Sequence, residues 1–274
     1  MMSDAAIGVF DSGLGGLTCV KQLISLMPNE NIIYFGDTAR VPYGNRSIKT
    51  ISRYAAQAID FLLGKQVKLL INACGSMSSS LDDEYTKTLP VAYIGCVEPA
   101  ALAAVKASRN KRIGVIATAA TISSRSFEQA IVRLDSEVKI TTKACPLLVP
   151  LVENGYISAD NTVTRQVASD YLLPVAAQGV DSLVLGCTHY PIIGQLISDI
   201  VGNDITLIDS GAEAAKAAGL KLGDMRNEAT TKGSLTVYIS DNPFGFSEIA
   251  ERFLGFMPDN IEQVDIEIIE KAGI

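Results

Sequence analysis

The stretch Val180-Asp-Ser-Leu-Val-Leu-Gly-Cys-Thr-His-Tyr-Pro191 decides how the rest of the chain is interpreted. Its apolar run, Leu183-Val184-Leu185, contains no polar residue and predicts a parallel strand that is buried on both faces. The run ends at Gly186, and a thiol, a hydroxyl and the one histidine of the chain follow in Cys187-Thr188-His189. Ligands of open α/β sheets bind at the carboxyl ends of the strands, so this strand is expected to deliver three reactive groups to a site.

Three segments of the first part of the chain are repeated later, in the same order and at a nearly constant spacing. Repetition of this kind indicates two homologous halves, each presenting one cysteine from an equivalent strand. Two such halves that face each other would place the two thiols on opposite sides of one cleft. The matching segments are 67–76 with 180–189, 7–12 with 113–118, and 91–95 with 205–209.

The repeat predicts two domains with a crossover near Val97-Glu98-Pro99. The first half would comprise residues 1–97 plus 210–274, including a return helix and a tail, and the second half residues 98–209. In the tail, Ser234–Ser240 alternates like a strand, and Val264–Ile269 predicts a further strand.

Composition excludes several classes of protein. The chain has 274 residues, 48% of them hydrophobic and 19% charged, which is typical of a compact globular protein with large cores. A net charge of −7 argues against nucleic acid or an anionic membrane as the main partner. With no basic leader and no long apolar segment, we expect a cytoplasmic protein that does not span a membrane. Five cysteines without CxxC spacing favour reduced thiols.

A glycine-rich turn follows the first apolar strand, in Asp11-Ser12-Gly13-Leu-Gly15-Gly16-Leu-Thr18. Its spacing is not the G-x-G-x-x-G of dinucleotide sites, and an acid at the strand tip would repel a phosphate. Two interpretations remain open. The helix N-terminus can bind a carboxylate while Asp11 handles protons, or Asp11 and Ser12 simply cap the helix.

Other positions also carry both a functional and a structural interpretation. Tyr43 and Gly44 lie in a loop rich in proline and glycine, and can offer backbone N–H groups and a phenol to a ligand or form a plain turn. Cys74 alone is typical of inert core, but its equivalence with Cys187 favours a paired role. Glu153 is by default a solvated charge, with a site acid as the other interpretation.

With these motifs in place, the chain resembles the glutamate racemases, within the cofactor-independent aspartate/glutamate racemase superfamily. The resemblance covers nearly the whole length, and its specificity comes from the combination of motifs. The segments that carry it are Asp11–Thr18, Pro42-Tyr43-Gly44, the strand ending at Cys74, Cys145-Pro-Leu-Leu-Val-Pro150 with Glu153, Gly186–Pro191 and Ala250–Gly255.

The resemblance implies an α/β fold with two similar doubly wound, mostly parallel-sheet domains, related by a pseudo-twofold axis, with the active site between them. It implies racemisation of L-glutamate to D-glutamate for peptidoglycan synthesis, by a cytoplasmic homodimer that needs no metal, pyridoxal phosphate or nucleotide. Cys74 would take the α-proton of the D-isomer with help from Asp11. Cys187 would take that of the L-isomer with help from His189, and Glu153 would be a further helper. The implied substrate-binding residues are Ser12, Tyr43, Gly44, Gly75, Ser76, Thr118, Thr121 and Thr188.

The residue types suit this chemistry. Racemisation removes a weakly acidic α-proton from one face of the carbon and returns a proton to the other face, which two bases on opposite walls can do. A free cysteine has a pKa of roughly 8.5, so a neighbouring group is needed to form the thiolate at neutral pH.

One position departs from the family pattern. After the first cysteine the family usually reads Asn-Thr-Ala, whereas this chain reads Gly75-Ser76-Met77. Ser76 keeps a hydroxyl, but Gly75 lacks the amide that in the family contacts the amino-acid head of the substrate. Asparagine at position 75 is therefore expected to be tolerated and to tighten binding, unless the backbone or a neighbour requires glycine.

Alternatives from the sequence are a racemase of the same fold that acts on aspartate or another amino acid, and a catalytically silent amino-acid-binding relative. A structural zinc site using Cys74, Cys187 and His189 is a third, but the sequence offers no convincing fourth ligand and no close cysteine pair.

Overall fold

The computed structural model describes residues 4–227, 229–242, 246–258, 260–267 and 269. Within these residues the chain forms strands and helices in frequent alternation, as the apolar runs and amphipathic segments predict. The strands are β1 Ile7–Asp11, β2 Ile32–Gly36, β3 Leu69–Asn72, β4 Ala92–Gly95, β5 Arg112–Ala117, β6 Lys139–Ala144, β7 Ser182–Leu185, β8 Thr206–Asp209, β9 Leu235–Ile239 and β10 Asn260–Gln263. The helices are α1 Leu17–Leu26, α2 Ile48–Gly64, α3 Gly75–Ser78, α4 Asp83–Lys87, α5 Val97–Ala107, α6 Ala119–Ser124, α7 Ser126–Leu134, α8 Leu148–Glu153, α9 Thr162–Ala176, α10 Gly194–Val201, α11 Ser210–Leu222 and α12 Phe246–Leu254.

The strands form two parallel sheets. The first has the order β10-β9-β2-β1-β3-β4 and the second the order β6-β5-β7-β8. All the strand pairs of the two sheets are parallel, and β1, β3 and β7 are buried along their whole length, as their apolar runs predict. The expected α/β class with parallel sheets is confirmed.

The second sheet repeats the central order of the first. Strands β5, β6, β7 and β8 stand in the same relation to one another as β1, β2, β3 and β4. The three sequence repeats fall on β1 with β5, on β3 with β7 and on β4 with β8. The prediction of two similar halves is therefore confirmed, and the two cysteines follow equivalent strands.

We propose that the halves divide near residues 97 and 210. Strands of the first sheet come from before Val97 or after Ser210, and those of the second from between them. Helix α5 packs on α7, β7 and β8 of the second half, whereas α11 packs on α1, β3 and β4 of the first. The two helices also contact each other where the halves meet.

Helix α2 illustrates how the helices are held. Ser47 accepts a hydrogen bond from the N–H of Thr50 and caps the start of the helix. Its buried face contains Ile51, Ala55, Ala58, Ile59 and Leu62. Fully burying one such leucine stabilises the fold by about 1.5–3 kcal/mol.

The tail adds two strands to the first sheet. Strand β9 confirms the prediction over Ser234–Ser240, but the strand expected over Val264–Ile269 is wrong, because the structure places β10 earlier, at Asn260–Gln263. The side chains of β10 are largely exposed, as suits an edge strand, so no apolar alternation marks it. Val264 and Ile269 instead pack against the core beyond the end of the strand.

Candidate active site

A cavity of about 290 Å³ lies between the halves, at the carboxyl ends of the central strands. The turns after β1, β2 and β3 form one wall, and those after β5, β6 and β7 form the other. A second cavity, of about 650 Å³, lies beside α4 and α5, but no cysteine or histidine lines it. The smaller cavity is therefore the candidate site. It is lined by Ser12, Gly13, Val41, Pro42, Tyr43, Gly44, Asn45, Cys74, Gly75, Ser76, Thr118, Ala119, Cys145, Pro146, Val149, Pro150, Glu153, Gly186, Cys187, Thr188 and His189.

Each site residue expected from the sequence lines this cavity, except Asp11 and Thr121. Asp11 and Thr121 lie behind the wall, each with 1% of its surface exposed. Each is hydrogen-bonded to a residue that does line the cavity. The two halves of the chain thus bring their candidate residues to one place.

Cys74 stands where β3 ends and α3 begins, with 5% of its surface exposed. Its Sγ lies 3.4 Å from Oγ of Ser12. Burial, and then the negative charge of Asp11, raise the pKa of the Cys74 thiol well above its ordinary value, although hydrogen bonds from Ser12 and from the N–H of Met77 oppose the rise. Cys74 therefore rests as a neutral thiol.

Cys187 faces the cavity from the turn after β7 and has a different neighbour. Its Sγ lies 3.9 Å from Nδ1 of His189, whose Nε2 lies 3.0 Å from Oε1 of Glu153. Burial alone would lower the pKa of His189, but the hydrogen bonds and charges of Cys187 and Glu153 outweigh it and raise the pKa to about 10. The imidazole is thus protonated at neutral pH and is placed to stabilise negative charge on Cys187 Sγ.

Asp11 connects the two halves beneath the cavity. Its carboxylate accepts hydrogen bonds from the N–H of Gly16, where α1 begins, and at 3.2 Å from the hydroxyl of Thr188. In the part of the chain that the structure describes, it accepts none from Cys74, whose pKa it raises. The carboxylate binds the N–H of Gly16, just before the first turn of α1, and not an N–H within that turn, so Asp11 is not a side-chain cap of α1. Its implied assistance to Cys74 stays a prediction.

The hydroxyl of Tyr43 is bound to a residue that does not line the cavity. Its hydroxyl donates to Oδ2 of Asp37, which also accepts from Nε of Arg40 at 2.6 Å, while Oδ1 accepts from Ser240 at 2.9 Å. Burial and the Asp37 carboxylate raise the pKa of Tyr43 well above its ordinary value, so the phenol keeps its proton. What the loop offers a ligand is therefore the backbone of Tyr43 and Gly44.

Gly75 and Gly186 meet across the boundary between the halves. A Cβ atom built on Gly75 would stand 2.1 Å from the carbonyl oxygen of Gly186, a distance that real Cβ atoms do not adopt. The expectation that asparagine is tolerated at position 75 is therefore wrong for this arrangement, because its side chain would meet the backbone of the second half.

Three hydroxyls form a cluster beside this contact. Ser76 Oγ, from the first half, lies 2.9 Å from Oγ1 of Thr118 and 3.3 Å from that of Thr121, and the two threonine oxygens lie 3.0 Å apart. Because each hydroxyl can donate or accept, the cluster can rearrange to bind either a carboxylate or an ammonium group.

Sequence reasoning missed part of the wall. Cys145, Pro146, Val149 and Pro150 give the second half an apolar side, which no expectation from the sequence included. Cys145 is fully buried, and burial raises its pKa to about 12, which agrees with an unreactive thiol.

Within the described residues, no group of three or more histidine, cysteine or acidic side chains is placed to hold a metal ion. None of the described helices combines the length and apolar character that crossing a membrane requires.

Comparison with known proteins gives consistent results. The sequence model of the Asp/Glu/hydantoin racemase family matches residues 11–218. The glutamate racemase of Syntrophus aciditrophicus is 45% identical over 262 residues, which cover 95% of this chain and 96% of that protein. That of Geobacter metallireducens is 42% identical over 264 residues, covering 96% and 97%. The crystal structure of glutamate racemase from Francisella tularensis in complex with D-glutamate superposes with a TM-score of 0.90, at 35% identity, over 97% of this chain and 100% of that one.

Proposed function

Because this chain belongs to the Asp/Glu/hydantoin racemase family, we propose that it interconverts L- and D-glutamate with two cysteine residues. The observation that carries the proposal is the placement of Cys74 and Cys187. They follow equivalent strands of the two halves, line one cavity and sit in electrostatically different surroundings. The names of the relatives that cover nearly the whole chain support glutamate as the substrate.

The surroundings of the two thiols support a direction for each proton. In the L-to-D direction, Cys187 as thiolate removes the α-proton of L-glutamate while protonated His189 stays beside it. The neutral thiol of Cys74 then gives its proton to the opposite face of the carbanion and releases D-glutamate. The enzyme is left with a Cys187 thiol and a Cys74 thiolate. The reverse reaction, or proton exchange with water, restores the first state.

The site is suited to a small zwitterion. A volume of about 290 Å³ is at the lower limit of ordinary ligand pockets. Ser12, Ser76, Thr118 and Thr188 supply hydroxyls, and the loop at Gly44 supplies backbone groups, for the carboxylates and the ammonium group. In this proposal, Thr121 supports Ser76 from behind, and Asp11 supports Thr188 in the same way. Tight positioning of the substrate is the main source of acceleration in such a site.

The family resemblance supports three further parts of the proposal. The protein would work in the cytoplasm, as a homodimer, and its D-glutamate would be used in peptidoglycan synthesis. The reaction would need no cofactor, because thiols on both faces of the α-carbon supply and remove the protons directly.

The test is isotope exchange with two substrates. The protein is incubated with L-glutamate and, separately, with L-aspartate in D2O, and α-deuterium and optical activity are followed together. We expect deuterium to enter glutamate at the rate at which optical activity is lost. Faster exchange of aspartate would favour the aspartate racemase alternative, and no exchange of either would leave a silent binding protein.

A further inference from the structure

Helix α12 belongs to the tail of the chain, yet it reaches the site from the first half. Its apolar face consists of Phe246, Ala250, Phe253 and Leu254, which are buried in the core that α1 also enters. This spacing is the stripe expected of an amphipathic helix that lies on a core. The helix is therefore anchored on the first half, and a side chain on its edge can act on the second.

Arg252 projects from α12 to the end of α8 in the second half. Its Nη1 donates to the carbonyl oxygens of Val152 and Glu153, each at 3.4 Å. The carbonyl of Val152 also accepts from the N–H of Gly155 at 3.0 Å, so Arg252 is a second donor to it. A positive group at this end also complements the negative end of the helix dipole. The guanidinium also lies 3.3 Å from where a Cβ of Gly155 would stand, and Gly155 has a φ of +82°, so glycine there permits the close approach.

The residue that ends α8 is Glu153, which holds His189 through its carboxylate at 3.0 Å. Phe253, next to Arg252, contacts the same imidazole edge-on, with ring centroids 5.4 Å apart and an interplanar angle of 86°. Two adjacent residues of α12 therefore contact the Glu153–His189 pair: Arg252 through the backbone at the end of α8, and Phe253 through the ring of His189.

Few other ionisable groups lie near the imidazole of His189 in the described part of the chain. Cys187 faces it from its own turn, and Asp11 reaches the neighbouring Thr188 from the first half. Glu153 has 44% of its side chain exposed, so burial alone does not fix its carboxylate. The N–H groups of Asn154, Gly155 and Tyr156 close the last turn of α8 from within the second half, and Arg252 adds a donor from α12.

We infer that Arg252 is a positioning residue: by capping the end of α8, it fixes Glu153 against His189. The inference rests on the proposed function, in which His189 serves Cys187. The acid–base pair of the second half is completed by an element of the first half, so the tail helix takes part in the reaction without touching the substrate.

The experiment compares Arg252→Met with Lys21→Met. Lys21, on α1, is exposed and lies near the end of α12, so its replacement removes the same charge without touching α8. His189 is the one histidine, so its Cε1–H resonance can be titrated by NMR without assignment. For Arg252→Met we expect a His189 pKa lower by about one pH unit and a kcat lower by about tenfold, below the roughly 10²–10⁴-fold of losing a general acid–base group. The KM for glutamate should stay within about twofold, and Lys21→Met should match the wild type in both measurements.

Two further variants show whether Arg252 acts through Glu153. In a Glu153→Gln background, Arg252→Met should cause no additional fall in the His189 pKa or in kcat. Arg252→Lys keeps the charge but not the planar fork, and should lie between wild type and methionine. A variant that melts at a lower temperature but keeps the wild-type His189 pKa would overturn the inference, as would full additivity with Glu153→Gln. If the wild-type protein leaves glutamate unchanged, the proposed function fails, while the NMR titration still decides the role of Arg252.

Discussion

Gly75 and Gly186 are in direct contact across the cleft, and the carbonyl oxygen of Gly186 lies 2.1 Å from the point where a side chain at position 75 would begin. Gly75 follows Cys74 and Gly186 precedes Cys187, so the turns that carry the two thiols touch each other. This contact sets how closely the two halves approach at the point where the proposed reaction occurs.

We predict that Gly75→Ala lowers both activity and stability. The added methyl group must displace backbone rather than a flexible side chain, and overpacking of this kind typically costs about 1–3 kcal/mol. Urea unfolding and the kcat/KM for L-glutamate measure the two effects. Gly64→Ala is the matched control, because nothing lies within 4 Å of a Cβ built there. Wild-type activity in Gly75→Ala would mean that the halves separate without consequence for catalysis.

Cys74→Ala and Cys187→Ala should each abolish racemisation, by at least the roughly 10²–10⁴-fold that a general acid–base group contributes. In D2O, Cys74→Ala should still exchange the α-proton of L-glutamate, because Cys187 can remove a proton and return a deuteron to the same face. Cys96→Ala is the control, since that thiol is fully buried outside the cavity. Turnover near the wild-type rate in either active-site variant would contradict the two-base mechanism.

The stability of the protein should fall as the pH rises from about 6.5 to about 10. The pKa of His189 is raised from 6.5 to about 10, so between these values the folded protein binds more protons than the unfolded chain. The stabilisation is fully present below the pKa of the unfolded chain and is lost as the pH rises to the pKa of the folded protein. Between them the free energy of unfolding falls by up to about 1.4 kcal/mol for each pH unit.

Buried thiols titrate in the same direction on unfolding, so the wild-type slope alone is not decisive. His189→Asn provides the comparison, because it keeps the cysteines and removes the imidazole. The slope of unfolding free energy against pH should be shallower in the variant, and equal slopes would mean that His189 is not held protonated in the folded protein.

Tyr43→Phe should lower stability but leave the KM for glutamate within about twofold. The lost hydroxyl donates to the carboxylate of Asp37, which does not line the cavity, and a hydrogen bond to a charged group contributes about 1.5–3 kcal/mol. Thermal unfolding and steady-state kinetics on the same preparation separate the two effects. A KM raised tenfold at unchanged stability would mean that the phenol turns toward the substrate.

The sequence was sufficient to predict the strands that are buried on both faces. Strand β7 is buried along its whole length and is apolar after Ser182, and its repeat in β3 marks the equivalent place in the other sheet. Since parallel strands end at one edge, the convergence of Cys74 and Cys187 followed from that pattern.

Other features depend on partners that are distant in the sequence. The phenol of Tyr43 is occupied by Asp37, whose other oxygen is bound by Ser240, 203 residues away. Gly75 looked like a lost side chain until its contact with Gly186 was seen. Neither the Tyr43–Asp37 hydrogen bond nor the Gly75–Gly186 contact produces a periodic pattern in the sequence, because each involves a single pair of residues.

Two passages of the chain, from β4 into α5 and from β8 into α11, connect the sheets within the described residues, and the two helices lie against each other. Two halves that are joined covalently at two neighbouring points can rotate mainly about the line through those points, and rotation about other axes is resisted. We expect Cys74 and Cys187 to separate and return along a single arc when a substrate enters or leaves. A chain with one link would have to find the alignment of the thiols again by noncovalent contacts at every opening.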